Sequence, residues 1–335
     1  MGPKLSFFCE LDTPVLLSLL QNERVLKLLQ KLHAGICLAV LDFSFERAEA
    51  VKLLNRAGIP LTAWLLLPKS QGYWSNLDNA AETQIRYEEF KAWTIQYDLQ
   101  WSAVGLDIEP DIQLLQNLLA RRWNTLFPNF IKSLVPGRIS KARKLYKVLS
   151  ERIHADGYLL ETYQLPLIVD DRLAHSRMIQ RLLGIIEVTS DREVLMLYSS
   201  FLRPWGTGML WSYGQYAKVI GIGSSGGGVE LPGDKSLPLS WEEFQRDLRL
   251  AWGCSENIYI FSLEGCQRQG FLERLTDFEW DLLLLEPLDS SKRIDRLRLS
   301  VQVFLWIFSH YYLFLGFGLI IALLLYPRKR IKGGS

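Results

Sequence analysis

Two carboxylates two residues apart open the chemical reading of this chain. In Ala103-Val104-Gly105-Leu106-Asp107-Ile108-Glu109-Pro110 an apolar run carries Asp107, skips Ile108, carries Glu109 and stops at proline. On a strand, side chains alternate between faces, so Asp107 and Glu109 point the same way, roughly 7 Å apart along the backbone. Gly105 lies on that face and leaves room beside them. Pro110 cannot donate to a sheet ladder and marks the strand's end. Two acids at the C-terminal tip of a strand suit general acid–base work in a (β/α)8 barrel, which keeps its catalytic groups at such tips. The other reading of the stretch is one solvated acid and one helix-capping acid just past a strand.

The elements around the pair fit that architecture. Apolar runs at 4–8, 36–41, 60–67, 103–109, 157–161, 193–198, 217–222 and 257–263 alternate with helical patterns. They are continuous rather than alternating, as parallel strands covered on both faces require. Eight such units make 1–288 a (β/α)8 TIM barrel in an α/β chain. An open doubly wound sheet would show a Gly-rich turn after the first strand, and Glu10-Leu11-Asp12-Thr13 has none. Thr13-Pro14 opens a helix expected to reach about residue 33, Ser44 caps the next, and Ser240-Trp241-Glu242-Glu243 is a capping box.

At the strand ends stand Glu10, Asp42, Glu161 and Glu264, with Trp64, Tyr163 and Trp211 as flat rings nearby. Acids mixed with aromatic rings suit a carbohydrate, and these seven are the expected substrate-binding residues. The glycine run 221–228 reads as a flexible loop or as a phosphate cradle. Four cysteines without C-x-x-C spacing and four histidines without ligand spacing predict neither a metal nor a cofactor.

Gly105-Leu106-Asp107-Ile108-Glu109 resembles the second half of the D-x-x-D-x-D-x-E signature of family 18 glycoside hydrolases, the chitinase-like barrels. Met196-Leu197-Tyr198-Ser199 resembles that family's M-x-Y-D on strand six. The resemblance implies Glu109 as general acid, Asp107 orienting an N-acetyl group that is itself the nucleophile, and Tyr198 as its hydrogen-bond donor. Ser102 and Gly105 stand where the family has aspartates, and Ser199 replaces the strand-six aspartate. The function implied is cleavage or binding of an N-acetylated glycan or glycoconjugate. The alternative is a non-catalytic barrel that binds a sugar or a protein partner at a membrane.

Residues 301–326 carry no formal charge and are long enough to cross a bilayer. They predict a C-terminal transmembrane anchor after a linker at 289–300, with 327–335 a basic tail. No export signal precedes the barrel, and the cysteines have no disulfide spacing, so the barrel is expected on the cytoplasmic side. The segment 121–152 holds nine Lys and Arg against Glu151, a possible contact for anionic lipid. No motif for reading nucleic acid is present, so none is expected as a partner.

Overall fold

The structure is a computed structural model, and it describes residues 2–228, 237–280 and 287–310. Eight parallel strands close on themselves in chain order: β1 (Lys4–Cys9), β2 (Gly35–Val40), β3 (Leu61–Leu65), β4 (Ala103–Ile108), β5 (Leu159–Gln164), β6 (Arg192–Met196), β7 (Val219–Gly223) and β8 (Asn257–Phe261). Lys4 on β1 pairs with Asn257 on β8 and completes the ring. This is the (β/α)8 barrel expected.

Alternate residues along each strand face inward or outward, which separates two apolar layers. Phe7, Leu38, Val104 and Ile220 pack outward against the helices. Phe8, Cys37, Trp64, Tyr163, Val194 and Tyr259 fill the barrel. Tyr163 is fully buried, with the Phe8 ring edge-on to it at 4.8 Å. Gly105 is the glycine this interior demands, because a methyl group there would collide with the Tyr163 hydroxyl.

Two caps form as expected: Ser44 Oγ accepts from Arg47 N at 3.1 Å, and Ser240 and Glu243 close a capping box. The helix expected over 13–33 is instead two, Thr13–Leu20 and Glu23–Lys31. Asn22 breaks it, its side chain accepting from Arg24 N to start the second.

The expected linker 289–300 is the first half of a 22-residue helix, Leu288–Ser309, packed on the barrel's outer layer. Gly208 lets this helix approach closely, since any side chain there would meet the Ser290 backbone. Arg298 is buried beneath it, with Nε donating to Asp170 at 3.0 Å and Nη1 to the Ser212 carbonyl at 2.7 Å. Residues 301–309 of the expected membrane span belong to the same helix, and Leu305 packs against Ala174 and Ile179. The rest of that span and the tail, 311–335, lie outside the described residues. Among the described residues no helix is long and apolar enough to cross a membrane.

Candidate active site

Asp107 and Glu109 lie at the C-terminal end of β4, as the sequence predicts. The loop that precedes the helix Ala80–Tyr97 holds them there. Ser75 extends the sheet past the strand end, donating to the Asp107 carbonyl at 2.8 Å and accepting from Glu109 N at 3.2 Å. Buried Asn76 and Asn79 fix that loop, Asn79 Nδ2 donating to the Trp74 carbonyl at 2.8 Å and Tyr146 Oη to the Asn76 carbonyl at 2.8 Å. The helix after the strand is capped by Asp111, whose Oδ1 accepts from Gln113 N at 2.8 Å. Glu109 is therefore not the capping acid, and it is left facing a cavity.

The electrostatics of the pair are unfavourable to charge. Asp107 is buried, and neither its Oδ1 nor Trp64 Nε1 makes a hydrogen bond of normal geometry among the described residues, although the indole N–H lies near enough to pull the Asp107 carboxyl down. Burial raises the Asp107 carboxyl well above its ordinary range, and the charges of Glu109 and Glu10 push it further. Burial also raises Glu109, to about 7, with Asp107's hydrogen bond pulling down and the Glu10 charge pushing up. The two carboxyls therefore titrate as one unit that holds a proton near neutrality.

Glu10, at the end of β1, joins this site and accepts a hydrogen bond from the Tyr73 hydroxyl. Tyr198, just past β6, stacks on Phe261 with ring centroids 5.6 Å apart. Burial and the charges of Asp107 and Glu109 raise its phenol strongly, so it is a neutral donor. Glu109 and Tyr198 line one cavity of about 850 Å³. Trp64 packs in the barrel interior, edge-on to Phe8 at 5.3 Å, and does not line this cavity.

Of the remaining expected residues, Tyr163 and Glu264 border the site, the first beside Asp107 and the second beside Glu10, and the others lie away from it. The fifth strand starts and ends later than the expected 157–161, so Glu161 sits in mid-strand rather than at its tip. It is buried inside the barrel, accepting from Tyr259 Oη at 2.9 Å and pairing with Arg192 Nη1 at 3.0 Å. Tyr163 fills the interior one register step above it. Asp42 accepts from Ser44 N at 2.9 Å and Thr13 Oγ1 at 2.6 Å and pairs with buried Arg47 at 3.2 Å. Trp211 lies in the outer helix Gly206–Gly214. Glu264 is buried at the start of the short helix after β8, accepting from Glu10 N at 3.4 Å. Ser199 is turned away from the pair and donates to Asp247.

Tyr73 was legible only as a loop aromatic. Its φ of 68° gives it the left-handed backbone that aims the hydroxyl at Glu10. The basic segment is less free than its sequence suggests: Arg138 pairs with Asp78, and Arg152 with Glu88 at 3.4 Å and Asp156 at 3.8 Å. Among the described residues, no group of three or more His, Cys, Asp or Glu side chains is placed to hold a metal ion.

No family model and no curated protein matches the chain. Among solved structures, a GH18 chitinase from Pseudoalteromonas aurantia is 9% identical with a TM-score of 0.48, over 82% of this chain and 99% of that one. The glycoside hydrolase domain of PgaB (BpsB) from Bordetella bronchiseptica is 11% identical with a TM-score of 0.46, over 83% and 98%. A chain of the tryptophan synthase complex from Pyrococcus furiosus is 12% identical with a TM-score of 0.42, over 83% and 98%.

Proposed function

We propose that the chain is a glycoside hydrolase-like enzyme acting on an N-acetylated glycan or glycoconjugate, with Glu109 as general acid. One observation carries this reading. Glu109 is held to about 7 beside Asp107, at the inner wall of a cavity it shares with Tyr198. An acid that is about half protonated at neutral pH can both give and take a proton there. Asp107 and Tyr198 would hold the acetamide, whose oxygen attacks the anomeric carbon as Glu109 protonates the departing oxygen. Glu109, now a carboxylate, would then take a proton from the water that opens the cyclic intermediate.

The test is a panel of N-acetylhexosaminides assayed with the full chain. Glu109→Gln is expected to lower turnover by about 10²–10⁴-fold while substrate still binds. An unchanged rate would remove Glu109 from the role.

The second reading, a non-catalytic binding barrel, is favoured by Gly105. Tyr163 occupies the space where a carboxylate below Asp107 would stand. Binding with no turnover on any member of the panel would establish that reading.

We also propose that the apolar run beyond residue 310 attaches the barrel to a membrane from the cytoplasmic side, since 301–309 pack on the barrel, with the segment 121–152 near anionic lipid. The uncharged run and the remaining basic residues support this. Protease should digest the barrel in sealed inside-out vesicles, and digestion only in right-side-out ones would reverse the topology.

A further inference from the structure

Beyond Glu109, Tyr198, Ser200, Arg203 and the Asp170–Arg298 pair, the walls of the cavity are hydrocarbon. Leu115, Leu165, Met196, Phe201, Leu297 and Val301 contribute from five separate segments of the chain. Its volume of about 850 Å³ suits a bound small molecule. An oligosaccharide is a poor occupant, because each hydroxyl pressed on these walls loses water and gains no partner. Polar groups reach the cavity at few places, chiefly Glu109 with Tyr198 and Arg298 with Asp170. Asp170 neutralises Arg298 at 3.0 Å, while Arg298 Nη2 is buried without an acceptor among the described residues. The cavity's rim is apolar as well: Leu119 is 39% exposed, Phe201 54% and Leu297 59%.

We propose that this cavity seats the hydrocarbon chain of an amphipathic substrate, a glycolipid-like molecule whose polar head lies at Glu109. The bond cut would then join the sugar to its lipid-like chain. The position of the head rests on the proposed function, whereas the seat of the chain rests on the cavity walls. Arg298 Nη2 offers a donor to one oxygen of the same molecule. The rival occupant is the chain's own apolar run 311–326.

The test uses full-length protein held in an amphipathic polymer, with dodecyl N-acetylglucosaminide carrying a diazirine at its chain end as the probe. Labels are expected on Leu165, Phe201 or Leu297 and their neighbours. Unlabelled dodecyl glycoside should compete about a hundredfold or more better than the butyl one, since each buried methylene contributes about fourfold. Leu297→Trp, which fills the cavity from an exposed helix position, should cut labelling by about tenfold or more. Leu167→Trp should do the same from the loop after β5, and Phe304→Trp, on the same helix as Leu297 but outside the cavity, should not.

Release of dodecanol is measured in the same samples. Labelling without release upholds the chain's seat and counts against the hydrolase reading. Release that is indifferent to chain length, with no cavity labelling, overturns the seat and leaves the hydrolase reading standing. Neither labelling nor competition would give the cavity to residues 311–326 and overturn the inference.

Discussion

The barrel interior buries carboxyls at two levels and treats them differently. At the lower level Glu161 meets donors: Arg192 at 3.0 Å, Tyr259 at 2.9 Å and Tyr163 at 3.4 Å. Burial raises this carboxyl, and the same partners pull it back. One register step higher, Asp107 meets Glu109 and the field of Glu10, and one of its oxygens makes no hydrogen bond of normal geometry among the described residues. Desolvation acts on both levels, and only the upper one has its charges set against one another. Among the described residues, unpaired polar atoms also remain at Gln164 and Glu264, so what sets the upper level apart is carboxyl set against carboxyl.

The largest effect that would sharpen this contrast is in stability against pH. Glu109 is held near 7 in the folded chain and lies near 4.5 when unfolded, so the folded state binds its proton more tightly in between. Stability is complete below about 4.5 and falls as pH rises towards 7, by on the order of 3 kcal/mol for a shift of that size. Glu109→Gln should flatten the slope and leave the protein more stable than wild type at pH 8 in denaturant titrations. A variant less stable at pH 8 would put the two levels on the same footing.

Next is Glu161→Leu, which should lose about 2 kcal/mol, because buried Tyr259 loses its acceptor and Arg192, half exposed, can turn to water. Thermal unfolding measures it, and a neutral result would mean that the lower level is not a compensated site. The smallest effect is expected at Asp42. Hydrogen bonds from Ser44 and Thr13 overcome the effect of burial and hold its carboxyl down to about 2. Its contribution is present above about 4 and fades as pH falls through 2. Asp42→Asn should therefore lower stability slightly at neutral pH, with the difference from wild type vanishing near pH 2, and leave turnover unchanged, and lost turnover would return Asp42 to the substrate site.

The barrel was legible because eight apolar runs, most of them ended by a polar residue or proline, allow little else. Asp107 and Glu109 were legible because a strand's period of two fixes their shared face. Glu161 was not, because Thr162-Tyr163-Gln164 looks like a loop and is buried β5 instead. The helix Leu288–Ser309 was hidden by its charges, although Ile294, Arg298, Val301 and Leu305 recur at helical spacing and all but Val301 are buried. The cavity could not be read at all. Leu115, Leu165, Phe201 and Leu297 each look like ordinary core until the fold brings them to one wall.

The central claim is that the Asp107–Glu109 pair holds a proton near neutrality. A carbon-13 NMR titration of the full chain, with labelled glutamate and Glu109→Gln to assign the signal, reads this directly. The account predicts a Glu109 carboxyl midpoint near 7, shifted upward in Asp107→Ala as the hydrogen bond that pulls it down is removed. A midpoint near 4.5 in the wild type, unmoved by that substitution, would contradict it.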